Sequence, residues 1–279
     1  MTSPSPMRSS LPALFFTDEM PRPYPTIFVY AIAGAGKTNA LRTVKHLNPL
    51  VLATEDGQTK GMSTLGDLKI AAILIDTLDQ LTAVASELGA KSRPGELYYE
   101  NNGPFGLLTL DSATGVGPML EDAAKKVKGW DMIWDGKKGD GKDPRMAYPY
   151  INEKARQVIR KLMALPAPLI ITCREQLMTE GEGPNAKSYA APELPGQKLP
   201  KVLPGWPEAT VRLRMVNGQR VMVTENEGDV VARVRLREGL RLEKYCNLDF
   251  GALLRLLQGD ESALHDLKLK PVQAALTPQ

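Results

Sequence analysis

Thr26-Ile27-Phe28-Val29-Tyr30-Ala31-Ile32-Ala33-Gly34-Ala35-Gly36-Lys37-Thr38 decides how the rest of the chain is read. Residues 26–30 form a continuous apolar run of strand length. Residues 31–38 have the spacing of a phosphate-binding loop, and Asn39 to Leu47 then shows helical periodicity. Strand, glycine-rich turn and helix in that order are the context this motif requires. Gly34 and Gly36 let the backbone curl so that the N–H groups of Ala33 to Asn39 face phosphate oxygens, and the helix start adds a favourable dipole. Lys37 is suited to neutralising the β- and γ-phosphates, and the Thr38 hydroxyl to ligating Mg²⁺. The usual first glycine is replaced by Ala31, a substitution small enough to be tolerated.

Composition sets the frame for that site. A chain of 279 residues, 43% of them hydrophobic, can bury one large core or two small ones. The net charge of +3 does not mark a nucleic-acid binder by itself, so any basic surface has to be local. The two cysteines, Cys173 and Cys246, are too few for a disulfide framework and suit a reducing cytoplasm. Neither they nor His46 and His265 form a metal-ligand cluster. No apolar run approaches membrane-spanning length, and the start of the chain has no secretory pattern, so no membrane partner is expected. Residues 1–25 are rich in Pro and Ser and read as a flexible N-terminal arm. Within it, Leu11 to Phe16 is apolar, either folded back on the core or docking on a neighbouring subunit.

Further apolar runs follow the loop at intervals filled by helical patterns. They are Leu50–Ala53, ending in Glu55-Asp56; Lys69–Ile75; Gly106–Leu110, ending in Asp111-Ser112; and Ala167–Cys173, ending in Arg174. Helices are expected from Leu78 to Leu88, capped by Asp76 or Thr77, from Pro118 to Val127, and from Tyr150 to Leu165. Continuous apolar runs alternating with helices predict a mostly parallel sheet buried on both faces, an α/β fold. Residues 89–104 and 175–207 read as loops. Beyond them, Val211–Val216, the Asn217-Gly218 turn and Gln219–Thr224 predict a hairpin. With Val230–Arg237 this makes an antiparallel meander, within residues 206–245, that extends an ATPase domain spanning 26–245. Residues 246–279 read as a C-terminal helix, Phe250 to Leu257, and a tail.

Hydrolysis needs more than a phosphate loop. Asp111, at the end of an apolar strand, is the natural partner of Thr38 in holding Mg²⁺, the alternative being a strand-end cap. Ser112 follows it where many ATPases place Glu, so a catalytic base has to come from elsewhere. Glu55, at the carboxyl end of the second strand, opens onto the same sheet edge. Arg174 ends another strand at that edge; it either senses the γ-phosphate or pairs structurally with Glu175 or Asp111.

With these strand ends in place, the chain resembles the RecA-like ATPase core. It is most similar to compact phage-encoded AAA-domain nucleotide-binding proteins associated with single-strand annealing and recombination. The matching stretches are AIAGAGKT, LVLATEDG, AILIDTLDQL, LLTLDS and LIITCRE, within residues 26 to 216. The resemblance implies DNA-binding loops after the Asp111 strand and after the last core strand. The first, residues 128–146, carries Lys128, Lys137, Lys138, Lys142 and Arg145 beside Trp130 and Trp134. Cations for phosphates and aromatic faces for bases suit a single strand, although Asp131, Asp135, Asp140 and Asp143 nearly balance the charge and suit a solvated insertion equally. The second is residues 175–200. The resemblance also implies basic residues that reach a neighbour's ATP, and Lys198 and Lys201 occupy that position. The arginines of the meander (Arg212, Arg214, Arg233, Arg235, Arg237) suit either a solvated sheet face or a nucleic-acid backbone.

The expectation is therefore a Mg²⁺-dependent ATPase acting on single-stranded DNA in annealing, recombination or repair. Glu55, Lys37 and Arg174 would be its catalytic residues. It would assemble on itself as a ring or filament, in contact with single-strand-binding or replication proteins, in the cytoplasm (of the host, for a phage-encoded chain). Its rivals are a nucleotide-dependent loader or motor acting on protein partners, and an assembly module that binds ATP without appreciable turnover.

Overall fold

The computed structural model describes residues 24–54, 65–127, 147–181, 186–226 and 231–269. The motif strand, β1 (Thr26–Ala31), is buried along its whole length. A 3-10 helix follows over Asn39–Leu47, burying Ala40, Leu41 and Val44 on one face. Then come β2 (Pro49–Ala53), β3 (Ala71–Leu74), α1 (Leu78–Lys91), β4 (Leu97–Tyr99), β5 (Asn102–Phe105) and β6 (Leu107–Asp111). They are followed by α2 (Ala113–Lys125), α3 (Ala147–Met163), β7 (Leu169–Glu180), β8 (Lys187–Pro192) and α4 (Leu199–Val202). The chain continues through β9 (Ala209–Val216), β10 (Gln219–Val223), β11 (Arg233–Val234), β12 (Tyr245–Asn247), α5 (Phe250–Gln258) and α6 (Ala263–Leu267).

The main sheet runs β12-β10-β9-β1-β7-β6-β2-β3, with β11 added beside β9 and β8 beside β7. From β9 to β3 every neighbouring pair is parallel, and the strands after β9 are antiparallel. The fold is the expected α/β one: a mostly parallel sheet flanked by helices and extended by antiparallel C-terminal strands. Alternation along β1 divides the core in two. Phe28 and Tyr30 join Leu50, Leu52, Leu110 and Ile171 under α1, α2 and α3. Ile27, Val29 and Ala31 face the other way, with Val51, Ile170 and Val211 against the 3-10 helix and α5. Continuous apolar strands are what two covered faces demand.

Parallel register brings the functional strand ends to one edge. Ala31 lies beside Arg174, Tyr30 beside Arg212, and Ala53 beside Asp111. The strand carrying Asp111 is not adjacent to β1; β7 lies between them.

Several local expectations change. β3 is an edge strand, not a buried one: its residues alternate in exposure, and Leu74 is 59% exposed. The loop expected over 89–104 contains the β4–β5 hairpin. The loop expected over 175–207 contains the outer half of β7 and its antiparallel partner β8, paired from Glu175–Pro192 to Glu180–Lys187. The helix after Asp111 starts five residues earlier than Pro118, at Ala113. At the Asn217-Gly218 turn both residues have positive φ, +49° and +77°, as a two-residue hairpin turn requires. The third strand of the expected meander is reduced to two residues, and it pairs with β9 rather than β10. The outer edge of β10 takes β12 instead. Thr224 ends β10 by bonding the carbonyls of Glu243 and Lys244, which turns the chain toward that partner.

Candidate nucleotide site

Gly34 (φ +77°) and Gly36 (φ +93°) hold the left-handed backbone that the loop after β1 needs and that a side chain would resist. At the loop's mouth, Lys37 Nζ donates to the carbonyls of Ala31 at 3.0 Å and Ile32 at 3.2 Å. Thr38 Oγ1 donates to Asp111 Oδ2 at 2.9 Å. The N-cap residue of the 3-10 helix and the last residue of β6 are thus in direct contact, although 73 positions separate them in sequence.

The other Asp111 oxygen is also held. Thr172, fully buried on β7, donates its hydroxyl to Asp111 Oδ1 in a short hydrogen bond. Both bonds stabilise the charged carboxylate and fix its orientation. The next peptide, Asp111–Ser112, is cis. Thr54, the residue just after β2, grips it: its hydroxyl donates to the Ser112 carbonyl at 2.5 Å and accepts from the Ser112 N–H at 3.0 Å. Gly115 makes this grip possible, since a Cβ there would meet the Thr54 carbonyl oxygen at 2.2 Å. Neither threonine was singled out in the sequence. Their places, just after β2 and within β7, are legible there, but their partners lie about sixty residues away in the chain.

Arg174 lies at the same edge with its side chain 45% exposed. Its backbone N–H donates to Thr114 Oγ1 at 2.8 Å, and its Nε stands 3.8 Å from the Glu193 carboxylate. Glu193 is therefore an ion-pair partner that the sequence did not suggest. Glu175, one of the two expected, is engaged by Arg212 in a two-pronged pair at 2.7 Å on each side. Cys173, immediately before Arg174, is fully buried, and burial pushes its thiol up to about 12. A cavity of about 610 Å³ opens beside this edge, lined by Thr54, Asp76, Thr114, Glu121, Asp122, Arg174 and Glu193. Its acidic rim is unsuited to phosphates, whereas the loop at the end of β1 offers N–H groups and Lys37.

Other expected site residues fall elsewhere. Glu55 lies outside the described residues, immediately after Thr54. Lys128, Trp130, Trp134, Lys137, Lys138, Lys142 and Arg145 also lie outside them. Lys201, on α4, pairs with Glu180 at the far end of β7 at 2.7 Å, and Lys198 immediately precedes α4. The meander arginines do not form one solvated face. Arg212 is largely buried in its pair with Glu175. Arg233 and Arg235 both donate to the Gly205 carbonyl, Arg233 in a short bond and Arg235 at 2.9 Å. Arg237 lies against Gly259, which caps the carboxyl end of α5, where a cation is electrostatically favoured.

The donor set at the loop fits a nucleoside triphosphate and its metal. Lys37 and the loop N–H groups would hold the phosphates, and Thr38 with Asp111 would hold Mg²⁺, a hard cation that prefers oxygen ligands. Among the described residues no cluster of three or more His, Cys, Asp or Glu residues could form a separate metal site. None of their helices is long and apolar enough to cross a membrane.

Fold and site together define a P-loop nucleotide-binding protein. The chain belongs to the AAA domain family, whose model matches residues 24–236. Among solved structures, the crystal structure of the RadB recombinase is similar at 18% identity and a TM-score of 0.39, over 81% of this chain and 87% of that one. No curated protein matches the sequence.

Proposed function

We propose that the chain is a Mg²⁺-dependent ATP hydrolase, of the phage-encoded type, that couples turnover to single-stranded DNA during annealing, recombination or repair. The observation that carries this reading is the 2.9 Å bond from Thr38 to Asp111, which joins the phosphate loop to a strand-end carboxylate held from its other side by Thr172. A loop serving only as a structural turn has no need of that carboxylate.

When bound, Mg²⁺ would offset phosphate charge on the bridging and terminal oxygens. Lys37 exchanges its two carbonyl partners for phosphate oxygens, and Thr38 and Asp111 keep their oxygens fixed toward the metal. Glu55 orients the attacking water and takes its proton as the water's oxygen bonds to the γ-phosphorus. The bond to the bridging oxygen breaks, giving ADP and phosphate. Arg174 reports the presence of the γ-phosphate along β7. The outer half of that strand forms a hairpin with β8, within the segment that the resemblance makes a DNA-binding loop. Leu177, 73% exposed on this hairpin, is available to a base or a partner surface. Lys198 and Lys201 serve a neighbouring protomer's ATP in a ring or filament, and residues 128–146 supply the remaining DNA contacts.

ATP hydrolysis by the full chain with and without single-stranded DNA, for wild type, Lys37→Ala and Glu55→Gln, tests this reading. DNA-stimulated turnover in wild type, lost in both variants, supports it. Turnover indifferent to DNA, in a chain that also fails to bind DNA, overturns the DNA-linked function and leaves a loader or motor on protein partners. Normal turnover by Glu55→Gln overturns the base assignment alone.

A further inference from the structure

The phosphate loop is touched by a residue from the far end of the fold. A Cβ placed on Gly36 would stand 3.2 Å from Arg220 Nε and 3.3 Å from its Cζ, so the guanidinium lies against the last glycine of the loop. Topology explains how a residue 184 positions away arrives there (220 minus 36). β9 runs parallel to β1, with Arg212 beside Tyr30, and continues to Val216 before turning at Asn217-Gly218. The tip of the β9–β10 hairpin is thereby carried past the end of β1, and Arg220, the second residue of β10, returns beside the loop.

Arg220 is exposed, and no hydrogen bond or ion pair of its guanidinium is found among the described residues. It differs in this from its neighbours on the same sheet, Arg212, Arg233 and Arg235, each committed to a carboxylate or a carbonyl. A guanidinium presents a planar fork that matches phosphate oxygens, and such charge-assisted pairs are stronger than neutral ones. The loop itself contributes one cation, Lys37, to a ligand carrying several negative charges.

We infer that Arg220 is a second phosphate-binding cation of this site, contributed by the chain's own C-terminal hairpin and aimed at the polyphosphate tail. This rests on the reading of the loop as a nucleoside-triphosphate site. The hairpin then forms one wall of that site, and Gly36, held in glycine's backbone region by its positive φ, is the loop residue that the guanidinium lies against.

Binding of Mg-ATP, Mg-ADP and adenosine to the full-length wild type, Arg220→Ala and Arg220→Lys, with thermal unfolding of each without ligand, tests the inference. Arg220→Ala is expected to weaken Mg-ATP binding about tenfold, the scale of one charge-assisted contact. Mg-ADP should lose less, adenosine nothing, and Arg220→Lys should recover part of the loss, with ligand-free unfolding unchanged. Wild-type affinity for Mg-ATP in Arg220→Ala overturns the inference and leaves the nucleotide site standing. Equal losses for all three ligands overturn it in favour of a packing role. Failure of the wild type itself to bind Mg-ATP overturns the underlying reading, and the inference with it.

Discussion

Asp111 is aligned by two hydroxyls, Thr38 at the start of the 3-10 helix and Thr172 on β7, and each bond can be removed without changing side-chain volume much. Thr172→Val deletes the donor to Oδ1, leaving that oxygen without one of its partners in a dry setting. Mg-ATP affinity is expected to fall about tenfold, for a loss of ~1.4 kcal/mol, and Thr172→Ser to restore it. Titration of Mg²⁺ at fixed ATP separates this from a general loss of fold. Gly115 has a purely steric role. Its hydrogen faces the Thr54 carbonyl oxygen, and a methyl group in its place would stand 2.2 Å from a backbone atom that cannot rotate away. Gly115→Ala should destabilise the chain by about 1–3 kcal/mol, read as a lower urea midpoint, because overpacking next to rigid backbone has to displace a strand or a helix.

At the scale of elements, α1 shows what local sequence dictates. Thr77 Oγ1 accepts from the Gln80 N–H while the Gln80 side chain accepts from the Thr77 N–H, a reciprocal capping box. This settles in favour of Thr77 the choice between Asp76 and Thr77. Thr77→Ala should cost about 1 kcal/mol in urea unfolding. β1, β2, β6 and β7 were legible for a related reason: burial on both faces leaves a continuous apolar run, which short windows detect. β4, β5, β8 and the outer half of β7 were not. Their residues include Gly103, Pro104 and Pro192, they are partly exposed, and each depends on a hairpin partner for its hydrogen bonds. The edge position of β3 was likewise invisible, since Ala71–Leu74 is as apolar as a central strand and its exposure follows from strand order. The same division runs through the site. Lys37, Thr38 and Asp111 announce themselves by spacing and strand ends. Thr54, Thr172 and Arg220 matter through partners that the sheet brings from distant segments.

For the molecule as a whole, the thiols offer a reporter. Cys173 and Cys246, the two cysteines of the sequence, are buried, and burial raises them from an ordinary 9.0 to about 12 and about 11. Burial also raises the Tyr30 hydroxyl, which donates to the Val231 carbonyl. Groups with folded values above their unfolded ones favour folding fully below the unfolded value, and that contribution disappears as pH rises toward the folded one. Stability should therefore hold near neutrality and decline from about pH 9 upward, seen as a falling urea midpoint. A thiol reagent should modify neither cysteine of the native chain until it unfolds. The packing of α5 carries a consequence in time rather than space. The Phe250 N–H bonds Thr43 Oγ1 of the 3-10 helix, and Gly251 lies so close to the Thr43 carbonyl that a Cβ would stand 2.7 Å from it. The helix that begins at the nucleotide loop is thus seated by residues translated some two hundred positions later. A ribosome-bound chain ending before Phe250 should bind ATP poorly, and one extended past α6 normally. Competence for nucleotide then arrives late in synthesis, after the β9–β10 hairpin has already emerged.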